Sequence, residues 1–173
     1  MTDPLAGPVG PAGLVGQWQG KPADPAATRR SEVAFLANGM GWTEWASGAG
    51  GVEVVGFRWR ATGSETLEVL DIWCAFGLTA ERDAVEWDEL EWRGDPAFTV
   101  GFALGTARRP PYAPVLHVST PLGGARDFVL LRADVSFAAC PARGVAPDLG
   151  VGIEDAVSRL AYDDRREHPK TRP

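Results

Sequence analysis

The chain has 173 residues, 45% hydrophobic and 23% charged, with a net charge of −6. That length suits one domain with a single core, burying roughly two-thirds of its unfolded surface, and the acidic balance argues against nucleic acid as a partner. The first residues lack the basic start and apolar run of a secretory signal, and no later stretch is long enough for a membrane span, so a cytoplasmic protein is expected.

Residues 1–13 are rich in proline and glycine and are expected to form a disordered arm. From residue 14 to 134 the apolar residues recur with a period close to two, the signature of half-buried strands. A first strand is expected over about Leu14–Gln19, followed by a proline-bearing loop, Lys21–Thr28. Ser31–Ala37 and Met40–Ala46 flank Asn38-Gly39, which predicts a two-residue type I′ hairpin because both residues tolerate positive φ. After a glycine-rich turn over 47–51, Glu53, Val55, Phe57 and Trp59 share one face of a strand and Arg58 and Arg60 the other. Thr62–Glu65 turns the chain into a strand over Thr66–Ala75.

Thr79–Arg82 could open a helix or a loop, and Glu86–Trp92 reads as a strand. Alternation then predicts strands at Phe98–Leu104, Pro114–Ser119 and Asp127–Asp134. Ile153, Val157, Leu160 and Ala161 lie on one face of a short helix over about Ile153–Tyr162. The expectation is an all-β, antiparallel, up-and-down barrel of about eight or nine strands with a short C-terminal helix, forming one domain over 14–162, and a disordered tail over 163–173. Closing such a sheet removes its aggregation-prone edges. The two cysteines, Cys74 and Cys140, have no metal-type spacing and read as spare or buried thiols.

Gly16-Gln17-Trp18 on the first strand resembles the glycine-x-tryptophan signature of lipocalins and related calycin barrels. The resemblance implies that Trp18 plugs one end of the barrel and that a basic residue near the last strand, here Arg132, packs across the indole, with Gly16 completing the closure. It departs from the family in having no threonine-aspartate-tyrosine motif, and it is more similar to small bacterial lipocalin-like domains than to secreted carriers.

Seven tryptophans occur, at 18, 42, 45, 59, 73, 87 and 92, about one to a strand. They either fill a small barrel or line a cavity for a flat or apolar molecule. On the second reading Trp42, Phe57, Trp59, Trp73, Phe102 and His117 are the candidate ligand-binding residues. The leading expectation is thus a non-catalytic barrel that binds a small apolar or amphiphilic molecule, with no metal and no identifiable cofactor.

Three alternatives have their own residues. Glu81–Asp95, with seven carboxylates against two arginines, could dock a basic protein partner in a masking role, although Arg93-Gly94-Asp95 itself reads as turn chemistry. An isomerase- or cyclase-type enzyme would need Glu53 or Asp71 to share the interior with Arg58, Arg60 or Arg132. Gly16, Trp18 and Gly20 also resemble the start of nitrobindin-type heme barrels, which would give His117 an axial role, but Pro22 stands where that family has a further glycine.

Overall fold

The structure, a computed structural model, describes residues 12–145 apart from 23, 25 and 81–83. The expected arm before residue 12, the C-terminal helix and the tail lie outside these residues. Nine strands follow one another: β1 (Gly16–Pro22), β2 (Thr28–Phe35), β3 (Met40–Ser47), β4 (Gly51–Ala61), β5 (Thr66–Thr79), β6 (Val85–Trp92), β7 (Phe98–Thr106), β8 (Pro114–Leu122) and β9 (Ala125–Arg132). Single 3-10 turns at Ala12–Leu14 and Phe137–Ala139 flank them. All pairings are antiparallel, and β1-β2-β3-β4-β5-β7-β8-β9 closes on itself as an eight-stranded barrel, with β6 as an extra strand beside β5. No helix among the described residues is long and apolar enough to cross a membrane.

β5 carries this arrangement. It pairs with β4 along almost its full length, from Leu67↔Ala61 to Leu78↔Gly51. On its other side, Thr66–Val69 pair with β7 and Trp73–Thr79 with β6. β6 and β7 both run antiparallel to β5, so they act as one interrupted strand, with 93–97 lying opposite 70–72.

Parity along the strands separates two cores. Trp18, Val33, Phe35, Phe57, Trp59, Leu67, Val69, Val100, Phe102, Leu116, Val118 and Phe128 point inward and fill the barrel. Ala34, Trp42, Val52, Val54, Ile72, Trp73 and Ala75 point outward from β2–β5, covered by Val135, Phe137, Cys140 and Ala142 of the segment after β9 and by Val85, Trp87, Leu90 and Trp92 of β6. The wall formed by β3–β5 is therefore apolar on both faces, which is why simple alternation cannot separate inside from outside there.

A β-bulge decides the parity of β5. Phe57 pairs with Asp71 and Gly56 with Trp73, leaving Ile72 as the extra residue. Without it Trp73 would continue the inward series Leu67, Val69, Asp71; with it Trp73 turns outward and Cys74 inward. The Trp73 indole then lies directly over Gly56, leaving no room for a Cβ there.

The Asn38-Gly39 hairpin forms with a different turn from the one expected. Gly39 N–H donates to Leu36 O at 3.1 Å and Leu36 N–H to Met40 O at 2.8 Å, so three residues make the loop, with Gly39 at φ 81°. Two-residue chemistry appears instead at Gly123-Gly124, where both φ values are positive, 52° and 79°. The first strand also begins later and runs further than expected, to Pro22, and β5 stays extended to Thr79, where a helix or loop start was an option.

Replacing Gly56 with alanine is expected to destabilise the fold by about 1–3 kcal/mol, the range for overpacking a tight core. Gly94→Ala, where a Cβ meets nothing within 4 Å, is the control and should leave stability nearly unchanged. Urea unfolding of both variants measures the difference, and equal stabilities would contradict the packing of Trp73 on Gly56.

Candidate functional site

The two ends of the barrel differ. At one end Leu14 caps the interior: the Trp18 indole N–H donates to Leu14 O at 2.9 Å, and both residues are fully buried. Phe35 meets Trp59 edge-on at 5.2 Å between ring centroids, and the Trp59 indole N–H donates to Met40 O at 2.9 Å. That end is sealed. Gly16 at φ 150° belongs to it, since a Cβ there would sit 2.9 Å from Arg132 O.

At the other end the ring parts. β8 pairs with β7 only up to Val118↔Phe102, and β6 pairs with no strand except β5 among the described residues. The β8–β9 turn bends across to β2 and β3, held by the Ser31 hydroxyl, which donates to Gly123 O at 2.6 Å, and by contact of Gly124 with the Trp45 indole. Between them lies an open cleft of about 400 Å³, lined by Thr43 and Trp45 from β3, Glu53, Val55 and Phe57 from β4, Val69 and Asp71 from β5, Phe98 from β7, and the turn Pro121–Gly124.

Two carboxylates stand in this cleft. Burial pushes the Asp71 carboxyl above the usual range; the Arg93 guanidinium pulls it back, and Asp95 and Glu53 add to the rise. Inward-facing Cys74 lies beside them. Burial raises its thiol to about 11 against a donated hydrogen bond from Arg93, and the neighbouring Glu53 raises it further. Such a thiol stays protonated near neutrality and is a poor nucleophile. Cys140 lies in the outer core and is raised by burial to about 12, so the two free cysteines stand on opposite faces of the wall.

Of the residues singled out from sequence, Phe57 lines the cleft, while Trp59 and Phe102 are interior packing away from it. Trp42 and Trp73 are buried in the outer core and do not face the barrel interior. Their indole N–H groups find no acceptor among the described residues, unlike those of Trp18 and Trp59. His117 alternates with buried Leu116 and Val118 and so points outward, where its Nδ1 lies 2.8 Å from Asp127 Oδ1. It cannot reach the interior as an axial ligand, so among the described residues no histidine is placed to ligate a heme. Arg132 likewise leaves Trp18 alone: it pairs with Gln17 across β9 and β1, and its Nε donates to Gln17 Oε1 at 2.6 Å on the outer face. Glu53 and Asp71 do face inward as the enzyme reading required, but Arg60 is bound to Glu68 and Arg58 alternates with buried Phe57 and Trp59. The cation beside the carboxylates is Arg93.

Trp45, Phe98 and Arg93 were not singled out. For Trp45 a signal existed, since it shares parity with Thr43 on a strand paired with the Glu53–Trp59 face. Arg93 sits where β6 gives way to the 93–97 link, a position no period reveals. Comparison with known proteins finds no family model, no curated protein and no solved structure that matches the chain.

The raised Asp71 carboxyl has a stability consequence. Its protonated form is favoured in the fold, so its contribution is present below the ordinary aspartate range and is lost as pH rises through the elevated folded value. Asp71→Asn should therefore be more stable than the parent at pH 7, with the gap closing as pH falls below the ordinary aspartate range. Thermal unfolding across pH checks this; a variant less stable at neutral pH would show that the ionised carboxylate holds the mouth together.

Proposed function

We propose that the protein is a small-molecule-binding barrel of the calycin type, taking an apolar or amphiphilic ligand into the cleft between Trp45, Phe57 and Phe98. The observation that carries this reading is the asymmetry of the interior: one end is packed solid around Trp18 and Trp59, and the other keeps about 400 Å³ open between aromatic and aliphatic walls. That volume lies in the range of small-molecule sites. The calycin assignment is supported by the closed eight-stranded ring and by a buried Trp18 at the sealed end of the first strand.

A second reading, acid–base chemistry of the isomerase or cyclase kind, draws on one observation: Asp71, its carboxyl raised by burial, shares the mouth with Glu53 and Arg93. A raised carboxyl beside a fixed cation is an arrangement enzymes use, and structural ion networks produce it too. The binding reading is preferred because it needs only the cavity and its walls.

A panel of lipophilic probes should quench tryptophan emission saturably. Trp45→Phe should remove most of that quenching, and Val55→Trp, which fills the cleft from β4, should weaken binding by at least about tenfold, the loss of ~1.4 kcal/mol of contact. Undiminished binding to a folded Val55→Trp protein would place the ligand elsewhere.

A further inference from the structure

We infer that the cleft selects organic cations: molecules with an aromatic or aliphatic body that seats against Trp45, Phe57 and Phe98 and an ammonium or similar group that meets Glu53 and Asp71. This rests on the binding reading above and names the ligand class it would take.

The polar groups of the cleft are unbalanced in one direction. Glu53 and Asp71 project into it from neighbouring strands, Glu53 paired with Phe76 and Asp71 with Phe57 in the β4–β5 register. The cation near them, Arg93, is already engaged: it hydrogen-bonds Cys74, lies 3.9 Å from Glu91 and faces Asp95. Among the described residues, four carboxylates, Glu53, Asp71, Glu91 and Asp95, thus share the Arg93 guanidinium around the mouth. A carboxylate held partly out of water that shares its counter-ion with others gains from an incoming cation, because part of the desolvation cost is already met in the free protein.

The approach to the cleft has the same sign. In β6 the outward residues are apolar, and the register places Glu86 opposite Leu78, Glu89 opposite Phe76 and Glu91 opposite Cys74, on the face continuous with the interior. Those three glutamates are exposed and form an acidic apron beside the opening. Such a field raises the local concentration and the capture rate of cations, and salt screens it. The walls supply the second half of the recognition, since an ammonium over an aromatic face is attracted by the ring quadrupole.

The cation is organic. No group of three or more His, Cys, Asp or Glu side chains among the described residues is arranged to hold a metal ion. The remaining lining, with Val55, Val69, Phe57, Phe98 and Leu122, suits carbon.

The test uses calorimetry on the full chain with three probes of one shape: naphthylethylamine, naphthylethanol and naphthylacetate. The amine should bind at least about tenfold more tightly than the alcohol, and the acetate more weakly than both, the preference narrowing in high salt. Glu53→Gln and Asp71→Asn should each remove most of the amine's advantage over the alcohol. Glu68→Gln, on the outer face beside Arg60, should change neither. Millimolar calcium or magnesium should not compete. An alcohol bound as tightly as the amine would overturn cation selection and leave the binding barrel standing; failure of all three probes to bind would overturn both.

Discussion

Along one side of β5 every residue from Leu67 to Leu78 except the bulged Ile72 faces a partner in β4, whereas its other side is shared between β7 and β6. This division of one strand's hydrogen-bonding edge governs the rest of the molecule. The half of β5 that pairs with β7 belongs to a closed barrel, whose interior packs solid around Trp18, Phe35 and Trp59. The half that pairs with β6 has left the ring, because β8 no longer follows and the β8–β9 turn crosses to the far wall instead. Had β7 continued alongside β5 to Thr79, the ring would have stayed closed along its length and the open cleft would have no place.

The cleft stands on a wall that is buttressed from behind. Glu53, Val55 and Phe57 face the opening, and the residues between them, Val54 and Gly56, face the outer core, where Trp73 lies on Gly56 and the Trp42 ring meets Phe137 edge-on at 6.3 Å. Packing on both faces fixes the backbone that aims the inward side chains, the condition for a site with defined geometry. The outer face also carries a polar row: Arg132 reaches Gln17, Gln17 reaches Glu32, and Arg30 meets Glu44 at 3.0 Å. Burial raises Glu44 above the ordinary glutamate range, with Arg30 opposing and Glu32 adding to it. Thus Arg132, whose position in sequence matches a barrel-closing residue, ties β9 to β1 from outside.

Alternation made the barrel legible wherever one face of a strand is wet. It also identified the Glu53-Val55-Phe57-Trp59 face, which proves to be the inner wall with Glu53 at its rim. It failed where both faces are apolar. Trp42 and Trp45 sit three apart on β3 and point opposite ways, and nothing in their local sequence says which looks inward. For Trp73 the deciding residue is its neighbour Ile72, whose bulge reverses the parity of everything after it and has no glycine to announce it. Gly41 lies in β3, where a Cβ would meet the Phe57 ring at 2.5 Å, a close approach that alternation does not reveal. The carboxylates of the site were visible as strand charges, whereas Arg93 owes its place to the 93–97 link, so the cation beside Asp71 could not be read in advance.

The central claim, that the molecule binds its ligand at the mouth beside β6 and nowhere in its two cores, is tested most directly by the indole N–H resonances of the seven tryptophans. On titration with naphthylethylamine the Trp45 signal should shift progressively to saturation, while those of Trp18 and Trp59, bonded to Leu14 and Met40 carbonyls at the sealed end, and of Trp42 and Trp73 in the outer core, stay in place. Shifts confined to Trp42 and Trp73, with Trp45 unmoved, would contradict the account.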